Sequence, residues 1–75
     1  MYYVAETGDP HILAIVDANT GMRKNTISIR GGVLDSSPIV MGDRCSFITI
    51  DNNNVRRGWI FKIPAGTFIT DFRVG

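Results

Sequence analysis

Apolar and polar positions in this chain alternate in short runs, and turn-forming residues close each run at intervals of roughly ten residues. Alternation at period two is the pattern of a strand with one face buried. Arg23–Arg30 ends with Thr26, Ser28 and Arg30 on one side and Ile27 and Ile29 on the other. Arg44–Asp51 sets Cys45, Phe47 and Thr49 against Ser46, Ile48 and Ile50, so both faces carry apolar groups and a central strand is predicted. Val55–Ile63 places Trp59, Phe61 and Ile63 on one face and Ile60 and Lys62 on the other. Phe68–Val74 alternates Phe68, Thr70, Phe72 and Val74 with Ile69, Asp71 and Arg73. Tyr2–Thr7 reads as a first strand, and the unbroken apolar run within His11–Asp17 as a strand buried on both faces.

The breaks between these runs have their own chemistry. Thr7-Gly8-Asp9-Pro10, Asp17-Ala18-Asn19-Thr20-Gly21, Gly31-Gly32, Gly42-Asp43, Asp51-Asn52-Asn53-Asn54 and Pro64-Ala65-Gly66-Thr67 are turn sequences. Pro38 has no N–H to give to a ladder, so the segment from Val33-Leu34 to Ile39-Val40-Met41 is an edge strand or a bend. No stretch carries a helical stripe. The expectation is an all-β fold, a small barrel or sandwich of six to seven short, mainly antiparallel strands, forming a single β domain over residues 1–75.

Size changes the picture. In a chain of 75 residues, 44% hydrophobic and 20% charged, one core rarely supplies more than ~3–5 kcal/mol, and a staple is usual. Cys45 is the single cysteine, which removes an intramolecular disulfide, and no Cys/His spacing suits zinc. Contact with other chains is the remaining route, so protein partners are expected: copies of the chain itself, other subunits of an assembly, or both. A net charge of +1 argues against a general polyanion-binding surface. No apolar run reaches the length of a membrane-crossing helix, so no membrane partner is expected. Met1–Glu6 lacks the basic and apolar regions of a signal peptide, and with a lone thiol this fits a chain made in a reducing cytoplasm.

Residues with chemistry to offer are few. His11 has no nucleophile near it in sequence and reads as structural. Cys45 lies within a strand pattern, away from the helix N-terminus that would favour its thiolate, and reads as a buried thiol. The oxygen-bearing positions of Asp17–Gly21 and Asp51–Asn53 complete no calcium loop and are good turn formers. No catalytic residue, cofactor site or metal site is assigned. Arg56 and Arg57, following three Asn and preceding Trp59 and Phe61, are the one hint of nucleic acid: cations for phosphate and an aromatic for a base.

Two segments carry a resemblance. Ala14-Ile15-Val16-Asp17-Ala18-Asn19-Thr20-Gly21, followed by Gly32 to Arg44 with its Ser36-Ser37-Pro38-Ile39-Val40, resembles the repeat of quinoprotein-type β-propeller blades, which carry an Asp-Ala-x-Thr-Gly turn and a Ser-Ser-Pro-Val-Val strand. The likeness covers roughly residues 14–50. The blade's Trp after the Thr-Gly turn is missing, with Ile27 or Ile29 near its place, and no quinone site transfers. The resemblance implies shared strand-and-turn chemistry.

The functional expectation is a non-enzymatic structural or assembly subunit. A small virion component, such as a phage capsid-decorating or tail-associated protein, is the kind that fits, made in the cytoplasm and ending in the virion. The interface is expected at Trp59, Phe61 and Ile63, three large apolar groups on one face, with Arg56 and Arg57 as its polar rim. The alternative is a small β-barrel nucleic-acid-binding module. A third reading is an inhibitor that binds a host protein.

Overall fold

A computed structural model describes residues 1–75 as eight strands without a helix. β1 (Tyr2–Glu6), β2 (Ile12–Asp17) and β3 (Arg23–Ser28) form a three-stranded antiparallel meander. β4 (Val33–Leu34), β5 (Ile39–Met41), β6 (Arg44–Ile50), β7 (Arg56–Lys62) and β8 (Thr67–Val74) form the second sheet, ordered β4-β6-β7-β8. β5 pairs with the opposite end of β6 from β4 along the same edge. The two sheets do not join into a barrel; they face each other in a sandwich-like pair, and the molecule measures 39 × 23 × 16 Å.

Eight strands replace the expected six to seven because the segment around Pro38 makes two. Val33 and Leu34 pair with Ile50 and Thr49, and Ile39 to Met41 pair with Ser46 to Arg44. Between them the chain keeps contact with β6 by other means. The Asp35 N–H donates to the Ile48 carbonyl (2.7 Å), and the Ile48 N–H donates to Ser36 Oγ (2.9 Å). A side-chain oxygen thus takes up an N–H that a regular ladder would have paired. Gly32 leads in at φ +150°, where a side-chain Cβ would strike the backbone at Ile50. Only glycine fits there without moving β6.

The core lies between β2, β3 and β6. Leu13, Ile15 and Ile27 come from one sheet, with Ile29 just past the end of β3, and Cys45 and Phe47 from the other, with Ile63 just past the end of β7. Tyr2, Val4, Leu34, Val40, Trp59 and Phe61 form a half-buried border. Each fully buried aliphatic side chain stabilises the fold by about 1.5–3 kcal/mol, but only 11 of 75 residues are buried, so the gain is small in total. β2 is buried on both faces, as its unbroken apolar run predicts. Leu13 and Ile15 face the core, while Ala14 and Val16 face outward and lie flanked by Ala5, Thr26 and Tyr3.

The β7–β8 turn closes one end. Asn25 Nδ2 donates to the Ala65 carbonyl (2.6 Å), tying the turn to β3, and the Ile63 N–H donates to the Asp43 carbonyl (2.7 Å). Residues 14–50, which resemble propeller blades in sequence, divide between the sheets: β2 and β3 in one, β4 to β6 in the other. A blade is one four-stranded sheet, so the likeness stops at strand and turn chemistry. No helix is long and apolar enough to cross a membrane.

Candidate interaction site

The two sheets differ in width, and the difference makes the site. On one side β1 approaches β5 and the sheets close together. On the other side β3 ends the narrow sheet while the wide one continues through β7 to β8. A hollow of about 510 Å³ lies there. Thr26, Ser28 and Arg30 form its rim, and Trp59, Phe61 and Phe68 its floor.

The floor is rigid for identifiable reasons. Phe61 stacks on the buried Phe47 with ring centroids 5.7 Å apart and planes 15° apart. Phe68 meets Phe61 and Trp59 edge-on, at 5.8 and 6.1 Å. These distances fall in the favourable range for aromatic pairs. Trp59 Nε1 donates to Thr49 Oγ1 at 2.8 Å, and Thr49 is 1% exposed. That bond fixes the indole and satisfies a buried hydroxyl. Phe68 remains 51% exposed although it faces the narrow sheet, because no fourth strand lies over it.

Phe68 corrects one feature of the sequence pattern. Strict alternation places Phe68, Thr70, Phe72 and Val74 on one face. The β7–β8 register shifts between Ile60 and Phe61, where Thr70 opposes Ile60 but Phe68 opposes Phe61. Ile69 is the extra residue of a bulge, and an extra residue reverses the facing of everything before it. Phe68 therefore joins Trp59 and Phe61, while Phe72 sits on the outer face with its ring across Gly58.

The expected interface residues divide in the same way. Trp59 and Phe61 are half-buried on the floor, whereas Ile63 is 2% exposed beyond the end of β7 and belongs to the core. Arg56 and Arg57 do not form one rim, since adjacent strand positions face opposite sides. Arg56 Nε donates to Asp35 Oδ2 at 2.7 Å on the outer face. Arg57 donates to Asp71 Oδ2 through Nε (2.9 Å) and Nη2 (2.6 Å) on the inner face. Both guanidiniums already hold a carboxylate.

The remaining singled-out residues serve turns and core. His11 is exposed, and both its N–H (2.9 Å) and its Nδ1 (3.5 Å) lie beside Asp9 Oδ1, where Asp9 shapes the turn before β2. Asp17 Oδ1 accepts the Asn19 N–H, and Asp51 Oδ1 accepts those of Asn53 and Val55, so these carboxylates hold their own loops. Nowhere do three His, Cys, Asp or Glu side chains gather. Burial pushes the Cys45 thiol above its ordinary value, against the smaller opposite pull of a backbone hydrogen bond at Phe61.

Period-two reading finds apolar groups on the outer face of β6 but misses what joins them. Ile48, Gly58 and Phe72 stand in one row across three strands, Ser46, Ile60 and Thr70 in the next, and Ile50, Arg56 and Val74 in a third. Val33, Ile39 and Met41 continue this face on β4 and β5, at 39%, 61% and 77% exposure. The rows depend on cross-strand register, which a single strand's sequence does not carry. Comparison with protein-family models, curated proteins and solved structures finds no match to this chain, so the site's geometry is the ground for reading its function.

Proposed function

We propose that this protein is a structural or assembly subunit that works by contact with other protein chains. The observation carrying this reading is the distribution of apolar groups. Eleven residues are buried, while Val33, Ile39, Met41, Phe68, Ile69 and Phe72 are exposed on the wide sheet. Phe68 lies on the inner side of that sheet and Val33, Ile39, Met41 and Phe72 on its outer side, and large apolar groups gathered on a sheet face beside polar ones are the mark of an interaction face. The open side adds a rigid aromatic floor beside an unpaired strand edge, the arrangement to which an extended segment of a partner adds as a new strand. A small virion component, decorating a capsid or joining a tail, is the kind of subunit we infer, since such a part draws its stability from its neighbours.

One observation favours a second reading. Arg30 lines the same hollow as Trp59 and Phe68, and a cation sharing a hollow with aromatic rings suits a single-stranded nucleic acid.

The assembly reading is tested on the dilute, untagged chain alone. We expect thermal unfolding at or below the ~45–65 °C typical of mesophile domains, rising when assembly partners are added. A dilute monomer melting far above that range, unchanged by any partner, would overturn it.

A further inference from the structure

Four strand edges lie at the margins of the two sheets, and they differ in what guards them. β4 and β5 are two and three residues long, and β1 approaches β5. β3 begins Arg23-Lys24, and charge is a common guard of an edge. β8 is the longest strand of the fold at eight residues; it has neither Pro nor Lys, and its two charges, Asp71 and Arg73, are of opposite sign, so they repel no second copy of the same edge in the right register. Its one irregularity is the bulge at Ile69, which leaves Thr70–Val74 as an uninterrupted run. Phe72, at the centre of that run, folds its ring back over Gly58.

We infer that β8 is a self-complementary edge, at which two copies of this chain pair antiparallel about a two-fold axis at Phe72 to make one continuous ten-stranded sheet. The inference rests on the assembly reading and names the partner as a second copy. Two independent features select the register. Opposed residues in an antiparallel pair share a face, so the axis must pass through a residue. An axis at Asp71 would set Asp71 against itself, and one at Arg73 would set Arg73 against itself; like charges directly opposite are destabilising. An axis at Phe72 sets each Asp71 opposite the partner copy's Arg73, twice by symmetry. The same axis pairs the whole regular run, Thr70–Val74, with itself and leaves the Ile69 bulge outside it. Asp71 keeps one oxygen for this: its contacts to Arg57 both use Oδ2.

The pairing explains a mismatch within the monomer. The β7–β8 register sets Arg57 directly opposite Arg73, yet Arg57 turns aside to Asp71 and Arg73 has no acidic partner in its own chain. The partner copy supplies one. The two-fold also sets the two aromatic floors side by side on one face of the joined sheet, and the two outer apolar faces on the other.

The test is self-association measured by sedimentation velocity over a concentration series, with far-UV circular dichroism to confirm folding. We expect the wild type to dimerise and Arg73→Asp, which sets Asp against Asp twice, to weaken dimerisation about tenfold or more. The double reversal D71R/R73D should restore it, because it returns opposite charges to both positions and gives Arg57 an acid directly across at position 73. Cysteine pairs read the register independently: a mixture of Thr70→Cys and Val74→Cys chains should form a mixed disulfide under mild oxidation, and neither chain alone should link to itself. A wild-type dimer indifferent to both charge variants would overturn the β8 pairing while leaving the assembly reading in place. A wild type monomeric at every concentration, yet stabilised by another subunit, would do the same.

Discussion

At the scale of single residues, Cys45 shows how a reactive group becomes inert. Its side chain lies among Phe47, Ile27 and other core groups at 1% exposure, where a thiolate would have no water. Burial raises its pKa from the ordinary 9.0, and the sign of the consequence follows. The native state holds the thiol proton to higher pH than the unfolded chain does. From about pH 9 upward the unfolded chain therefore binds fewer protons, and stability falls with rising pH. The slope approaches about 1.4 kcal/mol per pH unit for this one group. Stability present below pH 9 is lost progressively as the pH climbs toward the raised native value. We expect chemical denaturation at a series of alkaline pH values to show this loss in the wild type. In Cys45→Ala the loss should be smaller by that slope. Parallel curves for the two proteins would show that the thiol is not held protonated by the fold. A thiol reagent should likewise label native Cys45 no faster than the chain opens.

At the scale of elements, β6 and β7 hold the fold, and one side-chain pair joins packing to site. Thr49 is the only buried polar side chain, and its hydroxyl receives the Trp59 indole N–H. Thr49→Val keeps the shape of the side chain and removes the acceptor. Losing this hydrogen bond from a half-buried donor costs about 0.5–1.5 kcal/mol, so unfolding by urea should show a lower midpoint with an unchanged slope. The indole should also gain mobility, read as lower fluorescence anisotropy, because the hydroxyl orients it over the floor. A variant of wild-type stability with an unchanged Trp59 signal would mean that aromatic packing alone sets the floor. Much of the element level was legible in sequence. Strand positions followed from alternation, β2's burial from its unbroken run, and the trouble at Pro38 from its missing N–H. Two things were not. The bulge at Ile69 breaks alternation without any Gly or Pro to mark it, and so Phe68 changed faces. The split of Val33–Met41 into two strands depends on Ser36 standing in for a ladder acceptor, a contact twelve residues away in sequence.

At the scale of the whole molecule, unequal sheet widths leave one side of the sandwich open, and this shapes both readings of the function. From the sequence a contact face is expected at Trp59, Phe61 and Ile63 with Arg56 and Arg57 as its polar rim; the structure puts Ile63 in the core and sends the two arginines to opposite faces. Pairing partners far along the chain were hidden from the sequence: Asp35 and Asp71 lie 21 and 14 residues from the arginines they neutralise. The cation that the hollow does offer is Arg30, which nothing in its local sequence singles out. This shift of residues separates the readings by experiment. Each phosphate neutralised on a single strand adds about −0.7 to the slope of log affinity against log salt. A nucleic-acid module built on Arg30 and the aromatic floor would bind single-stranded oligonucleotides with such a slope, and Arg30→Ala would reduce it. A net charge of +1, with Arg56 and Arg57 already in ion pairs, offers little further attraction for a backbone. We therefore expect oligonucleotide binding at low salt to be weak, and unchanged in R56A/R57A apart from the lost ion pairs. Phe68→Asp, which places an acid on the floor, should instead impair docking to protein subunits. Tight, salt-steep binding abolished by Arg30→Ala would reverse the order of the two readings, because the same floor would then be stacking bases rather than receiving a partner's strand.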